Sequence, residues 1–475
     1  MGRQNNSAKF PEEHRQPVRP TPVDALTARR LNLALPLDRN RIEAAQMAAL
    51  RRTVAHARAN SPWYRQHLDI HAGYLRGRED LSRLPLLPAG ELTAHADELL
   101  CVSRGDVARI MTLHTSGSTG APKRIFFTRA DLESTLEFFR EGMTALADGR
   151  DKVLVLLPFD RPDSTGDLLI RALAGGGVSA SGYWPPDSGM AECVLKNGFS
   201  CVVGLPQHLL ALSYGLPHGA VRTMLLCSDY APSVLRERME NICGCETFVH
   251  YGATETGLGG GVECTAHDGC HMREADLLVE IVNPESGRPL PDGAEGEVVV
   301  TTLNRQAMPL IRYRTGDTAR LTRTVCRCGG ATARIYGIRG RRNLVRLDGG
   351  TLDSQTLDDA LFTLEGVLDY RAMLLGADGG DTLDIEMLVH GAVFRTPPQG
   401  GTPGSLLRIA PVRRSGCPDE PQGGEMEAPA EKAPCYGRDE ASFGFDGKAG
   451  YPRCPCPTPG ALAMERSGLE DRWQT

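Results

Sequence analysis

Apolar residues recur near helical spacing from Arg41 to Leu68, at Ile42, Ala45, Met47, Ala49, Val54 and Ala55, which predicts a helix that Ser61-Pro62 interrupts. A strand-like apolar piece starting at Met111 then enters a loop of Gly, Ser and Thr that ends at Lys123. Thr128 and Asp131 are placed to cap a following helix over Leu132 to Ala147. Short apolar runs at 152–157, 199–204, 221–228 and 247–251 read as buried strands. Helical patterns at 167–174 and 233–242 fall between them. This alternation predicts an α/β fold with a largely parallel sheet. Two more strands, 277–282 and 297–303, are joined through turn signals at Pro284–Gly287 and Pro291–Gly293, which reads as an antiparallel β subdomain.

The pattern changes at both ends. Residues 1–24 are polar and carry prolines, and are expected to be an unstructured tail. Residues 344 to about 392 read as a small α+β unit, and from Phe394 onward Gly, Pro, Ser, Glu and Arg dominate without apolar periodicity. A chain of 475 residues with 41% apolar and 24% charged residues is an ordinary globular composition, long enough for two or three domains. The net charge of −6 gives no reason to expect nucleic-acid binding. No run of eighteen apolar residues and no export signal is visible, so no membrane contact is expected and the cytoplasm is the expected location.

The most informative chemistry lies in Thr115, Ser116, Gly117, Ser118, Thr119 and Gly120, followed by Ala-Pro-Lys123. The glycines allow a tight turn and close backbone approach, the hydroxyls and N–H groups can donate to phosphate oxygens, and Lys123 adds a positive charge. The GxxxxGK[ST] spacing of a Walker loop is absent, which argues against a plain P-loop ATPase. Fourteen cysteines without an export signal are weak grounds for disulfides. Cys201 and Cys227 read as small buried hydrophobes, and Cys454 and Cys456 in the tail are expected to bind nothing. Cys264, His271, Cys326 and Cys328 lie on either side of the β subdomain and form a candidate structural zinc set, with Cys270 or His267 as substitutes.

The string TSGSTGAPK resembles the phosphate loop of the adenylate-forming acyl-CoA synthetases, and its surroundings resemble the phenylacetate–coenzyme A ligase branch. Ser61-Pro-Trp-Tyr64, Tyr251-Gly-Ala-Thr-Glu255, Ile311-Arg-Tyr-Arg-Thr-Gly-Asp317 and Gly340-Arg341 resemble further segments of that family, in the same order. The resemblance spans about residues 40 to 350. It implies a large α/β AMP-binding domain over 25–340 that includes a β subdomain. A small α+β C-terminal domain over 341–393, truncated or divergent, and a low-complexity tail over 394–475 would follow.

It also implies a reaction. A carboxylic acid attacks the α-phosphate of ATP, and a thiol, coenzyme A, then displaces AMP. By the same resemblance Lys123, Thr254, Glu255 and Arg341 are the catalytic residues, with Glu255 holding Mg²⁺. Residues 115–120, Ser228, Asp229, Tyr230, Tyr251, Gly252 and Asp317 would surround the nucleotide, Tyr251 against adenine and Asp317 on the ribose. Some members of the branch carry a cysteine and histidine set similar to the zinc candidates. Phe159, Asp160, Tyr183, Trp184 and Pro185 fall near the expected acyl wall.

The expected partners are a small carboxylic acid, aryl or otherwise hydrophobic, and a second copy of the chain. The family's C-terminal lysine has no clear counterpart, Lys432 and Lys448 being the nearest, and Asn343 stands at the hinge position. Two other readings therefore stay open: a non-CoA acceptor, and a nucleotide-binding relic.

Overall fold

The computed structural model describes residues 21–113, 122–340, 345–347, 350–377, 380–390 and 406–408. Helix α1 (Pro22–Leu31) starts inside the stretch expected to be a tail. Thr21 accepts from the Asp24 amide and Pro22 occupies the first turn. Asp24 is buried and accepts hydrogen bonds from Ala331 N, Thr332 N and the Thr332 hydroxyl. The polar composition before residue 25 hid this start. The periodic stretch after residue 39 forms α2 (Arg39–Asn60) and α3 (Pro62–His67). They break at Ser61, whose hydroxyl caps α3.

After α4 (Ala89–Ala94), strands β1 (Arg109–Leu113) and β2 (Lys123–Phe127) pair antiparallel, with Leu113 opposite Lys123. Helix α5 (Arg129–Met143) begins at a reciprocal Thr128–Asp131 capping box. Then come β3 (Lys152–Leu156), α6 (Thr165–Gly175), β4 (Ser179–Gly182), α7 (Met190–Asn197), β5 (Cys201–Gly204), α8 (Pro206–Ser213), β6 (Thr223–Leu226), α9 (Ser233–Cys243) and β7 (Glu246–Tyr251). Strands β4, β3, β5, β6 and β7 lie side by side and parallel. The short β4, α7 and α8 are too brief, and too close to Gly and Pro, for periodicity to signal them.

Strands β8 (Gly261–Glu263), β9 (Cys270–Met272), β10 (Leu277–Val282), β11 (Glu295–Thr302), β12 (Tyr313–Thr322) and β13 (Arg334–Arg339) continue the same ladder antiparallel. From β7 the order runs β8, β9, β13, β12, β11, β10, giving one sheet of eleven strands. The expected antiparallel subdomain is thus an extension of the main sheet. Val153, Val155, Val203, Leu225 and Phe248 share one buried core with α5 and α6, while Leu154, Leu156, Val202, Met224 and Leu226 share another with α7, α8 and α9. This is the period-two alternation of strands covered on both faces.

The C-terminal part contains β14 (Val345–Leu347), β15 (Gly350–Leu352), α10 (Ser354–Leu361), β16 (Val367–Ala377), β17 (Gly380–Val389) and β18 (Leu406–Arg408). β18 falls within the stretch read as low-complexity. Phe362, Val367 and Ile385 join the second core. Arg238 of α9 donates to the carbonyls of Phe362, Leu364 and Val367, fixing this part against the large sheet. No helix among the described residues is long and apolar enough to cross a membrane.

Candidate functional site

The carboxyl ends of parallel strands open onto the site, as open α/β sheets dictate. Strand β7 ends at Tyr251 and passes into a single 3₁₀ turn, Thr254–Thr256, closed by Gly257 at φ +78°. That turn carries Glu255 inward, where it is 2% exposed. Lys123, also 2% exposed, reaches it from the start of β2, with Nζ 2.6 Å from Oε1. Tyr313, at the head of β12, completes a triangle: its hydroxyl accepts from Lys123 at 3.0 Å and donates to Glu255 at 2.9 Å. A buried charge pair is tolerated only when such extra hydrogen bonds satisfy it. Thr254 is half-buried beside Glu255.

Farther along β12, Asp317 accepts a hydrogen bond from the Tyr251 hydroxyl at 3.0 Å. Burial, and then the Asp317 charge, push the Tyr251 phenol well above its usual range, so it remains a donor. Gly252 is required by space, since a Cβ there would lie 2.6 Å from His250 Cε1 and 2.9 Å from the Leu258 carbonyl. Desolvation lowers the His250 imidazole to about 4, which keeps it neutral.

The segment after β6, which neighbours β7, presents Ser228 at φ +69°, Asp229 and Tyr230. Asp229 accepts from Gln207 at 2.8 Å and burial raises its pKa. Tyr230 donates to Asp359 of α10 at 2.9 Å. The structure therefore brings Lys123 to Glu255, and Tyr251 to Asp317, with Ser228–Tyr230 on the adjacent strand end. Thr115, Ser116, Gly117, Ser118, Thr119, Gly120 and Arg341 lie outside the described residues, as do Asn343, Lys432 and Lys448.

Around the expected acyl wall, Phe159 is buried and approaches Gly182 so closely that a Cβ there would lie 2.3 Å from the ring. Trp184 meets the His208 ring edge-on, Tyr183 bonds to Asp187, and Asp160 is exposed.

A second cluster forms between β8, β9 and the loop before β13. One donor atom from each of Cys264, His271, Cys326 and Cys328 lies within 4.8 Å of all the others. Ligands about 2.3 Å from a tetrahedral centre stand about 3.8 Å apart. Cys264 Sγ and Cys326 Sγ are 3.8 Å apart, and Cys328 Sγ is 3.4 Å from His271 Nε2. His271 Nδ1 is engaged by the Thr332 hydroxyl at 2.9 Å, which in turn bonds to Asp24 at 2.7 Å. This leaves Nε2 facing the thiols, the arrangement that orients a metal-ligating histidine. The donor set fits Zn²⁺.

Neither sequence substitute joins the cluster. Cys270, next to His271 on β9, faces the opposite side and donates to the Val249 carbonyl. His267 pairs with Glu263 and Glu246. Three groups had no role in the sequence reading. Tyr313 stands inside the quoted RYRTGD segment, so its position was visible but its contacts were not. Arg273 and Arg305 carry no sequence signal.

Residues 64–305 match the family described as AMP-binding enzyme. The phenylacetate-coenzyme A ligase of Thermus thermophilus is 30% identical over 384 residues, 76% of this chain and 84% of that protein. The protein of the same name from Aromatoleum evansii is 30% identical over 62% of this chain and 70% of its own length. The Escherichia coli one is 28% identical over 63% and 73%. Among solved structures, 2-hydroxyisobutyryl-CoA ligase in complex with 2-HIB-AMP superposes with a TM-score of 0.64 over 73% of this chain and 78% of that one. At 19% identity this is a likeness of fold.

Proposed function

The chain belongs to the AMP-binding enzyme family, and we propose that it activates a carboxylic acid with ATP and transfers the acyl group to coenzyme A. The observation that carries the assignment is the buried Lys123–Glu255–Tyr313 triangle sharing the carboxyl edge of the sheet with Tyr251 and Asp317. In the first step a carboxylate oxygen bonds to the α-phosphorus and the bond to the β-phosphate oxygen breaks, releasing pyrophosphate. In the second, the thiol sulfur bonds to the acyl carbon as its proton is lost, and the carbon–oxygen bond to AMP breaks.

Lys123 leaves Glu255 for the phosphates and neutralises charge building on the departing pyrophosphate. Glu255, with Thr254 beside it, would hold Mg²⁺, a hard cation that supplies Lewis acidity toward phosphate oxygens. Tyr313 keeps the carboxylate aimed. Asp317 is an acceptor-only group suited to ribose hydroxyls, and Tyr251 offers the ring for adenine. By the family resemblance, residues 115–120 and Arg341 are the further groups expected to meet the phosphates, and Ser228–Tyr230 those expected to border the base. Cys264, His271, Cys326 and Cys328 would hold a structural Zn²⁺. The relatives' names point to an aryl or other hydrophobic acid, in keeping with a wall that includes Phe159 and Trp184.

Pyrophosphate exchange across a panel of carboxylic acids tests this reading. Exchange with one class of acid, and AMP release that requires coenzyme A, are the expected results. Exchange with no acid leaves a nucleotide-binding relic, and AMP release indifferent to thiols gives a different acceptor.

A further inference from the structure

Three consecutive carbonyls beginning at Glu255 are each held by a side chain from a different part of the fold. Arg305, after β11, donates Nη1 to Glu255 O at 2.9 Å. Arg273, after β9, donates Nη2 to Thr256 O at 2.7 Å. Thr135 of α5 donates its hydroxyl to Gly257 O at 2.9 Å. Gly257 allows this convergence: a Cβ there would lie 2.7 Å from Arg273 Nη2 and 2.9 Å from Arg305 Nη2.

Both guanidiniums are buried, and neither has a carboxylate ion-pair partner among the described residues. Desolvation lowers both pKa values, that of Arg273 to about 10. Among the described residues, Arg273 Nε and Nη1 have no hydrogen-bond partner. Each cation lies instead over an aromatic ring, Arg273 5.2 Å from Phe138 and Arg305 5.1 Å from Phe127. Phe127 closes β2, the strand that begins with Lys123, and Phe138 lies one helical turn beyond Thr135 on α5. The clamp on the Glu255 turn is therefore built against the elements that follow the phosphate loop. Buried guanidiniums without a contacting carboxylate are a costly way to hold a turn for stability alone, since burying a charge is expensive.

We infer that Arg273 and Arg305 are positioning residues. They fix the Thr254–Gly257 backbone so that the Glu255 carboxylate is directed at the metal–phosphate position, in register with Lys123. The inference rests on the proposed role of Glu255 toward Mg²⁺. Its test is ATP affinity, with Mg²⁺ and with chelator in its place, for the full-length parent, Arg305→Met, Arg305→Lys, Arg273→Met and Thr135→Val. Thr135→Val keeps shape and charge, so it remains informative where a methionine variant does not fold.

The parent should bind ATP more tightly with Mg²⁺. Arg305→Met, Arg273→Met and Thr135→Val should lose about tenfold of that gain while binding in chelator is unchanged, and Arg305→Lys, which can still donate, should recover part of it. Folded variants that keep the parent's full Mg²⁺ gain overturn the clamp. A parent whose ATP affinity ignores Mg²⁺ overturns instead the assignment of Glu255 on which the clamp depends.

Discussion

Lys123 and Glu255, 132 positions apart in sequence, meet at 2.6 Å inside the protein, each almost wholly removed from water. The two charges thus neutralise each other; in the proposed reaction a phosphate and a divalent cation would offer both of them new partners. Either alone would strand one charge in a medium of low polarity.

This relationship separates folding from activity. Lys123→Met or Glu255→Gln leaves one buried charge without its counter-charge, and each should destabilise the protein by about 3–5 kcal/mol. The double variant should regain most of that loss, because the stranded charge is gone. All three should lose pyrophosphate exchange by about a hundredfold or more. Urea unfolding midpoints measured beside exchange rates check both halves. Single variants as stable as the parent would show that the pair does not support the fold.

Tyr313→Phe retains the ion pair and removes only the hydroxyl that aims it. The expected cost is about 1–2 kcal/mol of stability, with about a tenfold slower exchange. Steady-state rates indistinguishable from the parent's would exclude Tyr313 from the site.

Asp317→Asn should raise the KM for ATP by about tenfold and leave the KM for the acid alone, since a neutral amide is a weaker acceptor than a carboxylate. Tyr251→Phe, which leaves Asp317 charged, should act in the same direction and more weakly. An ATP KM unmoved by Asp317→Asn would remove that residue from the nucleotide.

Metal analysis of the purified protein should return about one zinc per chain. Cys264→Ala and His271→Ala should abolish it and lower the melting temperature, whereas Cys270→Ala should leave the metal in place. Zinc lost equally from the Cys270 variant would mean a different ligand set.

Burial raises Asp358 to about 7 and Asp369 to about 6, both where α10 and β16 pack toward Asp229. Tyr370 donates to Asp358, and Asp359 adds a further negative neighbour. The packed state therefore holds these protons more firmly than the unfolded chain, in which an aspartate titrates near its ordinary 3.8. Their contribution to stability falls as pH rises from about 4 to about 7 and is level above that. Asp358→Asn/Asp369→Asn should flatten this slope in denaturation midpoints. An unchanged slope would place the titration elsewhere.

How much of this was legible in sequence depends on whether the signal is local. Capping of α5 by Thr128 and Asp131, the break at Ser61 and the alternating strands are written in neighbouring residues, and they appear as expected. The four candidate metal-binding residues could be named because few residue types serve as such ligands and their spacing brackets a β region. The partners of Lys123, the support of Glu255 by Arg273 and Arg305, and the single continuous sheet come from long-range pairing. An arginine among polar neighbours in sequence gives no local hint of the carbonyl it will reach. The short β4, α7 and α8 failed for a different reason, each spanning only about two periods of its own pattern.

Asp24 holds Thr332 from 308 positions away, and Thr332 in turn holds the ring of His271. Trimming the first thirty or so residues, a routine step when a chain opens with polar sequence, would remove the guy-rope from this imidazole. A shortened protein would be expected to lose metal on dialysis while its nucleotide chemistry, which does not draw on this histidine, survived the first purification.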